Sequence, residues 1–249
     1  MKKILKAAAI SAMGVIMLNS CIFINYPNER GNRVTASGTD TTLVFENIAA
    51  TYDEINISNN MIVRYSESAD CITITADKNI APYIKVFVEE GELNIDEKGV
   101  MLINVPAAEV LVPVSSKPLK SIDVSGASRF SSDIVLENNE LAIDLSGASK
   151  VEIEANVKEL DADLSGASTL NIGGTAVEAE LECSGASTLN CDDFSTDSAD
   201  VHVSGASKIG TLAAKTVTGS VSGASHLSVK DGCDISKVST SGASGVSSK

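Results

Sequence analysis

Four carboxylates, Asp123, Asp144, Asp163 and Glu182, recur at spacings of 21, 19 and 19 residues, and Asp161, Glu180 and Asp200 stand two positions ahead of the same register. Acids in such order support three kinds of chemistry. Converging, they ligate calcium, which takes several hard oxygen ligands. Set across a groove, two of them cleave a glycosidic bond. Left facing water, they make a repeated anionic surface for a cationic partner. The elements that carry them decide among these.

Those elements are marked by Ser-Gly-Ala-Ser, written seven times between residues 125 and 244, with glycines at Gly126, Gly147, Gly166, Gly185, Gly205, Gly223 and Gly242. Two residues before each glycine stand Val124, Leu145, Leu164, Cys183, Val203, Val221 and Thr240. Four before stand Ile122, Ile143, Ala162, Leu181, Val201, Gly219 and Val238, and four after stand Phe130, Val151, Leu170, Leu189, Ile209, Leu227 and Val246. The column between the first two sets holds the acids, then His202, Ser220 and Ser239. Alternation of this kind is a half-buried strand. A period near 20 residues built from strands alone is one coil of a parallel β-helix.

The expected fold is therefore all-β, a single-stranded parallel β-helix of about 20 residues per coil, each coil roughly 4.8 Å above the last. The motif suits a bend where backbones crowd, since glycine lacks a Cβ. Its serines are expected to hydrogen-bond along their own columns. The motif is read as architecture and not as a ligand signature. The acids point outward, and Arg129, Lys150 and Lys208, three residues past their glycines, are read as a flanking counter-charge.

Residues 1–20 open with Lys2, Lys3 and Lys6, run apolar through Met17 and Leu18, and close on small or polar residues before Cys21. That is a secretory signal peptide, too short for a spanning helix. Leu18-Asn19-Ser20-Cys21 resembles a bacterial lipobox, which makes Cys21 a lipidated first residue at the outer membrane, on the cell-surface or the periplasmic face. Asn19 departs from the commonest pattern, and ordinary cleavage leaving a free Cys21 thiol is the alternative. Loss of three lysines takes the formal charge from −14 to −17. So acidic a chain is unsuited to nucleic acid or anionic headgroups, which leaves the lipid anchor as its membrane contact.

Residues 21–41 read as a polar tether and 42–249 as one β-helix domain, with irregular first coils over 42–120 and the seven marked coils over 121–249. In the first part Ile55 and Ile57, Ile72 and Ile74, Leu93 and Ile95, and Val110 and Val112 alternate with polar residues, and Gly91 marks a turn. The last coil is read as an exposed edge able to pair with another copy.

The runs Leu43-Val44-Phe45-Glu46-Asn47-Ile48, Tyr52-Asp53-Glu54-Ile55-Asn56-Ile57 and Gly91-Glu92-Leu93-Asn94-Ile95, followed by repeated Val-Ser-Gly-Ala-Ser, resemble the putative auto-transporter adhesin, head GIN domain family. The resemblance covers nearly everything after the tether. It implies a right-handed parallel β-helix akin to the pectin-lyase architecture on a secreted or lipid-anchored protein. It implies an adhesive role and carries over no catalytic residues.

Composition argues against an enzyme. There is no Trp to form a sugar platform, and coil spacing never exceeds 21, which leaves no long loop for a catalytic insertion. Asp161 with Asp163, and Asp192 with Asp193, are carboxylate pairs without distinguishing context. His202 and His226 fall on different outward columns. Cys183 and Cys191 point inward as small core hydrophobes, and Cys71 and Cys233 add no C-x-x-C spacing, so no zinc site is expected and disulfide pairing stays open.

The reading is a non-catalytic cell-envelope lipoprotein, an adhesin whose candidate binding residues are Asp123, Asp144, Asp163, Glu182, Asp161 and Asp200. Its expected partners are external or envelope glycans or proteins. No cofactor is expected; a structural calcium ion between the acid ladders is the one candidate metal, against a solvated acidic face. A β-helix polysaccharide lyase or hydrolase, and a purely structural envelope protein, are the alternatives.

Overall fold

The computed structural model describes residues 15–18, 33–46, 48, 50–97, 101–103 and 105–249, with side chains described in all but 15–18, 33 and 101–103. Among them the chain is strand and turn apart from one 3-10 segment, Ala81–Tyr83, and forms a parallel β-solenoid of about seven turns with roughly 19 residues per coil. No helix is long and apolar enough to cross a membrane among the described residues.

Each marked coil has two main walls. Ser121–Val124, Glu140–Leu145 and Glu159–Leu164 begin the first wall, and Arg129–Glu137, Lys150–Asn156 and the start of Thr169–Cys183 the second. Like residues stack in register. On the first wall Ile122 pairs with Ile143, Ile143 with Ala162, Ala162 with Leu181 and Leu181 with Val201. On the second the series runs Phe130, Val151, Leu170, Leu189, Ile209 and Leu227. These side chains fill the core between the walls. Full burial of one, such as Leu170, contributes about 1.5–3 kcal/mol.

The Ser-Gly-Ala-Ser corner continues the ladder around the bend. Ser146 N–H donates to Val124 O at 3.1 Å, Ala148 N–H to Gly126 O at 2.7 Å and Lys150 N–H to Ser128 O at 2.9 Å, and the same set recurs in later coils. The seven glycines have φ between +72° and +77°. A Cβ on Gly166 would stand 2.5 Å from the Gly147 carbonyl oxygen. Glycine is required twice over, by the left-handed backbone and by the approach of the coil beneath.

The fourth residue of each corner, from Ser128 to Ser225, points into the core. The expected serine ladder forms only in part. Ser187 Oγ lies 3.2 Å from Ser207 Oγ, and Ser225 Oγ donates to Gly205 O at 3.3 Å. The Ser149 and Ser168 hydroxyls have no partner among the described residues. Side chains one coil apart start roughly 4.8 Å from each other, so hydroxyls meet only where their rotamers lean together.

The coils that precede Gly126 stack out of chain order. Glu92–Glu97 pairs with Glu54–Ile57, which pairs with Ser121–Val124, so Leu93, Ile55 and Ile122 are consecutive in one column. Antiparallel strands close this end. Ile84–Glu89 folds back on Glu92–Glu97 through Glu90 and Gly91, both at positive φ, and Asp40–Phe45 pairs with Ile72–Asp77. Asp77 ties the entering chain to this cap, accepting from the N–H groups of Ser37, Gly38 and Asn79 at 2.7, 2.8 and 2.9 Å. Val15–Leu18 runs parallel to Asp40–Phe45, Val15 facing Thr42. The rest of the expected signal peptide, Cys21 and the first part of the expected tether lie outside the described residues.

Candidate functional site

The strand register brings the acids into the columns expected from their spacing. Asp123 faces Asp144, Asp144 faces Asp163 and Asp163 faces Glu182; beside them Asp161 faces Glu180, and Glu180 faces Asp200. A third column, Glu140, Glu159 and Glu178, runs alongside. It was legible as an acid seven residues before successive glycines, and it escapes a reading that follows only the positions nearest the motif. An open groove of about 500 Å³ lies over the outer two columns, lined by Glu140, Glu159, Asp161, Glu180 and Asp200 with Lys120 beside it.

Stacking acids on acids changes their titration. Burial first, then Asp144 and Glu92, raises Asp123 above the ordinary carboxylate range; burial, then Asp163 and Asp161, does the same to Asp144. A cation beside the column would offset the repulsion between these carboxylates.

The expected counter-charge is elsewhere. Arg129, Lys150 and Lys208 lie on the second wall, where Arg129 faces Lys150, because the corner separates them from the acids. Lys150 reaches Glu152 on its own strand at 3.4 Å, and Lys120 reaches Asp53 at 3.0 Å. The acid surface is also bounded along the axis. Residues 121–200 hold 17 Asp and Glu against 3 Lys and Arg, whereas 201–249 hold 2 acids against 5 lysines. The negative charge is thus concentrated on the first four marked coils.

At that boundary the inner column passes from Glu182 to His202 and Ser220. His202 Nδ1 lies 3.2 Å from Ser220 Oγ, and Nε2 lies 3.7 Å from Asp200 Oδ1. The contact joins residues a coil apart, so taking His202 singly misses it. The set has the composition of a hydrolytic triad but is spread over two adjacent strands, Phe194–Val203 and Lys208–Val221, each paired on both sides, whose N–H groups serve the ladder and not an oxyanion.

Among the described residues no group of three or more His, Cys, Asp or Glu is gathered to hold a metal. The columns spread their carboxylates along the axis without converging them. Cys183 and Cys191 are buried as expected, and burial pushes both thiols up to about 12. Cys71 and Cys233 are half-buried, and all four thiols are free.

Fold and columns together define a solenoid scaffold with a repetitive outer wall. The chain belongs to the family described as "Putative auto-transporter adhesin, head GIN domain", whose model matches residues 51–232. Its fold is similar to that of a putative adhesin from Parabacteroides distasonis ATCC 8503, at 20% identity and TM-score 0.74 over 88% of this chain and 100% of the other. A putative adhesin from Bacteroides fragilis NCTC 9343 is similar at 19% identity and TM-score 0.74, over 87% and 99% of the two chains. A structure named as a putative lipid binding protein from Parabacteroides distasonis ATCC 8503 is similar at 19% identity and TM-score 0.69, over 88% and 100%. At such identities the likeness is one of fold. No curated protein matches the chain.

Proposed function

We propose that this protein is a non-catalytic cell-envelope adhesin that holds external glycans or proteins through the acidic first wall, anchored to the outer membrane by a lipid on Cys21. The observation that carries the reading is the register of Asp123, Asp144, Asp163 and Glu182 with Asp161, Glu180 and Asp200 beside them. Equivalent charges at one coil spacing let a repetitive cationic partner engage several sites at once, so weak contacts add through effective concentration.

The test is retention of the processed protein on arrays of host and bacterial glycans and matrix proteins, with and without calcium, while released reducing ends and unsaturated uronate are followed. Asp144→Asn, Asp163→Asn and Glu182→Gln together should reduce retention at least tenfold and weaken its salt dependence. Unchanged retention by a folded triple variant moves the contact face off this wall, and released product makes the protein an enzyme. Radiolabelled palmitate incorporation that survives Cys21→Ser would remove the anchor. Asp234–Thr240 and Gly245–Ser248 each pair on one side only among the described residues, and sedimentation velocity tests whether copies associate there.

A further inference from the structure

The two longest coils of the repeat run from Gly126 to Gly147, 21 residues, and from Gly185 to Gly205, 20 residues. Register locates the surplus. Ser131 faces Glu152 and Val135 faces Glu154, so residues 132–134 oppose Ile153 alone. Asn171 faces Asn190 but Gly174 faces Phe194, which puts one extra residue within 191–193. Both insertions fall on the second wall, at the two ends of one open groove of about 480 Å³. Insertions gathered on one face of a solenoid commonly mark the face that binds, and a bulge re-aims the side chains around it.

Both ends are built and not merely looped out. Arg64 Nε donates to the two carboxylate oxygens of Asp133 at 2.9 and 2.8 Å, and Ser132 Oγ donates to Ile134 O at 2.8 Å. At the other end Asp192 Oδ1 accepts from Thr211 N–H at 2.7 Å. Between them the Asn190 amide donates to Asn171 Oδ1 at 2.8 Å.

The floor holds a glycine that the fold does not demand. Gly173 is absent from the positive-φ positions, and a Cβ there would meet Glu154 Cγ at 3.5 Å and Asp193 Cβ at 3.7 Å, ordinary contact distances. Its neighbour Gly174 differs, at φ +104° with a Cβ that would collide with the Ala155 carbonyl. A dispensable glycine in a strand leaves a notch where something else approaches the backbone closely.

We propose that this groove is a binding site for a neutral oligosaccharide, with one sugar ring over Gly173, between Glu154 and Asp193, and its hydroxyls bonded by the Asn171 and Asn190 amides. Hydroxyl groups both donate and accept, which matches carboxylates set beside amides. Of the five acids lining the groove, Asp133, Glu152 and Asp192 already have Arg64, Lys150 or the Thr211 N–H as partners. Arg64 and Lys150 thus offset two of the five charges, and those that remain repel anionic sugars while keeping carboxylate acceptors for sugar hydroxyls. The groove crosses four coils, roughly 14 Å, room for several sugar rings. Val135, 41% exposed, gives its rim an apolar face.

The site lies on the other wall from the acidic columns and stands independently of them. The processed full chain in detergent is titrated calorimetrically with neutral pentasaccharides of glucose, mannose, galactose and xylose, and with hexalysine. At least one neutral probe should bind saturably. Gly173→Ala, with melting unchanged, and Asn171→Ala should each weaken it at least tenfold, while Asp144→Asn with Glu182→Gln leaves it unaltered. The proposal falls if no neutral probe binds the folded protein, if both second-wall variants bind as the parent does, or if the first-wall variant removes the same binding. Hexalysine binding that survives Gly173→Ala and is lost in the first-wall variant assigns cations to the acidic columns, as the site division requires.

Discussion

Asn59 occupies under Gly126 the position that Gly126 occupies under Gly147. Asn59 has φ +62° and Gly126 has φ +75°, and the Asn59 backbone nitrogen lies 3.1 Å from where a Cβ on Gly126 would be. Asparagine is the non-glycine residue that best tolerates this left-handed region. The corner therefore begins one coil before the motif becomes visible.

Gly166→Ala should be severely destabilising. The left-handed backbone alone costs an alanine about 1–2 kcal/mol, and the new Cβ also meets Gly147 O at 2.5 Å. Gly232→Ala provides the comparison, since φ is +90° there but nothing lies within 4 Å of the added Cβ. Urea unfolding should rank Gly166→Ala well below Gly232→Ala. Equal losses would show that backbone conformation, and not the stacked carbonyl, sets the cost.

Ser168→Ala should be neutral or stabilise by about 1 kcal/mol, because it removes a buried hydroxyl without a described partner. Ser187→Ala should destabilise by a similar amount, since that hydroxyl bonds Leu164 O at 3.3 Å and Ser207 Oγ at 3.2 Å. Paired denaturation curves distinguish them. A loss at Ser168 as large as at Ser187 contradicts the assignment.

Stability should rise as pH falls from about 8 to about 5. Glu97 is 7% exposed, and burial, with Asp96 second, pushes its carboxyl up to about 7 from 4.5. The folded protein holds that proton more tightly than the unfolded chain, so the contribution is complete at low pH and is lost as pH climbs through this interval. The effect is on the order of 3 kcal/mol, and Asp123 and Asp144 act with the same sign. Glu97→Gln should flatten most of the dependence seen in urea midpoints. A variant that keeps all of it assigns the effect to other carboxyls.

Asp77→Asn should loosen the entry to the cap. Burial pushes the Asp77 carboxyl up, but bonds from Asn79, Ser37 and Gly38 outweigh it and hold it below the usual range. The clasp is therefore present at neutral pH and lost as pH drops through that lowered value. Limited proteolysis at neutral pH should cut residues 33–39 of the variant several-fold faster than the parent. Equal rates would mean that the strands flanking the clasp hold this segment unaided.

Much of this was legible because a period of two within a period near 20 assigns each residue both a face and a coil. Ile122, Leu164 and Leu189 could be placed in the core, and Asp144 above Asp163, from spacing alone. The stacking of Glu92–Glu97 before Glu54–Ile57 was not, since alternation tells which residues turn inward and not which strand becomes the neighbour. The expectation that Lys150 flanks the acids fails for a related reason. Counting from the glycine crosses the corner without registering that the wall has turned. The groove over Gly173 had a faint signal in the spacings of 21 and 20, but which side of the coil took the extra residues depended on the register.

The pairing pattern also sets an order of assembly. Met61 N–H bonds Ser128 Oγ across 67 residues, whereas Ser187 and Ser207 meet across 20. Closing the first loop carries the larger entropic penalty, and every marked coil after it adds a short closure onto a finished template. Growth toward Lys249 then proceeds by near-identical steps. Because a chain is synthesised N-terminus first, the irregular coils can be in place before the marked ones emerge, and each docked coil then serves as the template for the next.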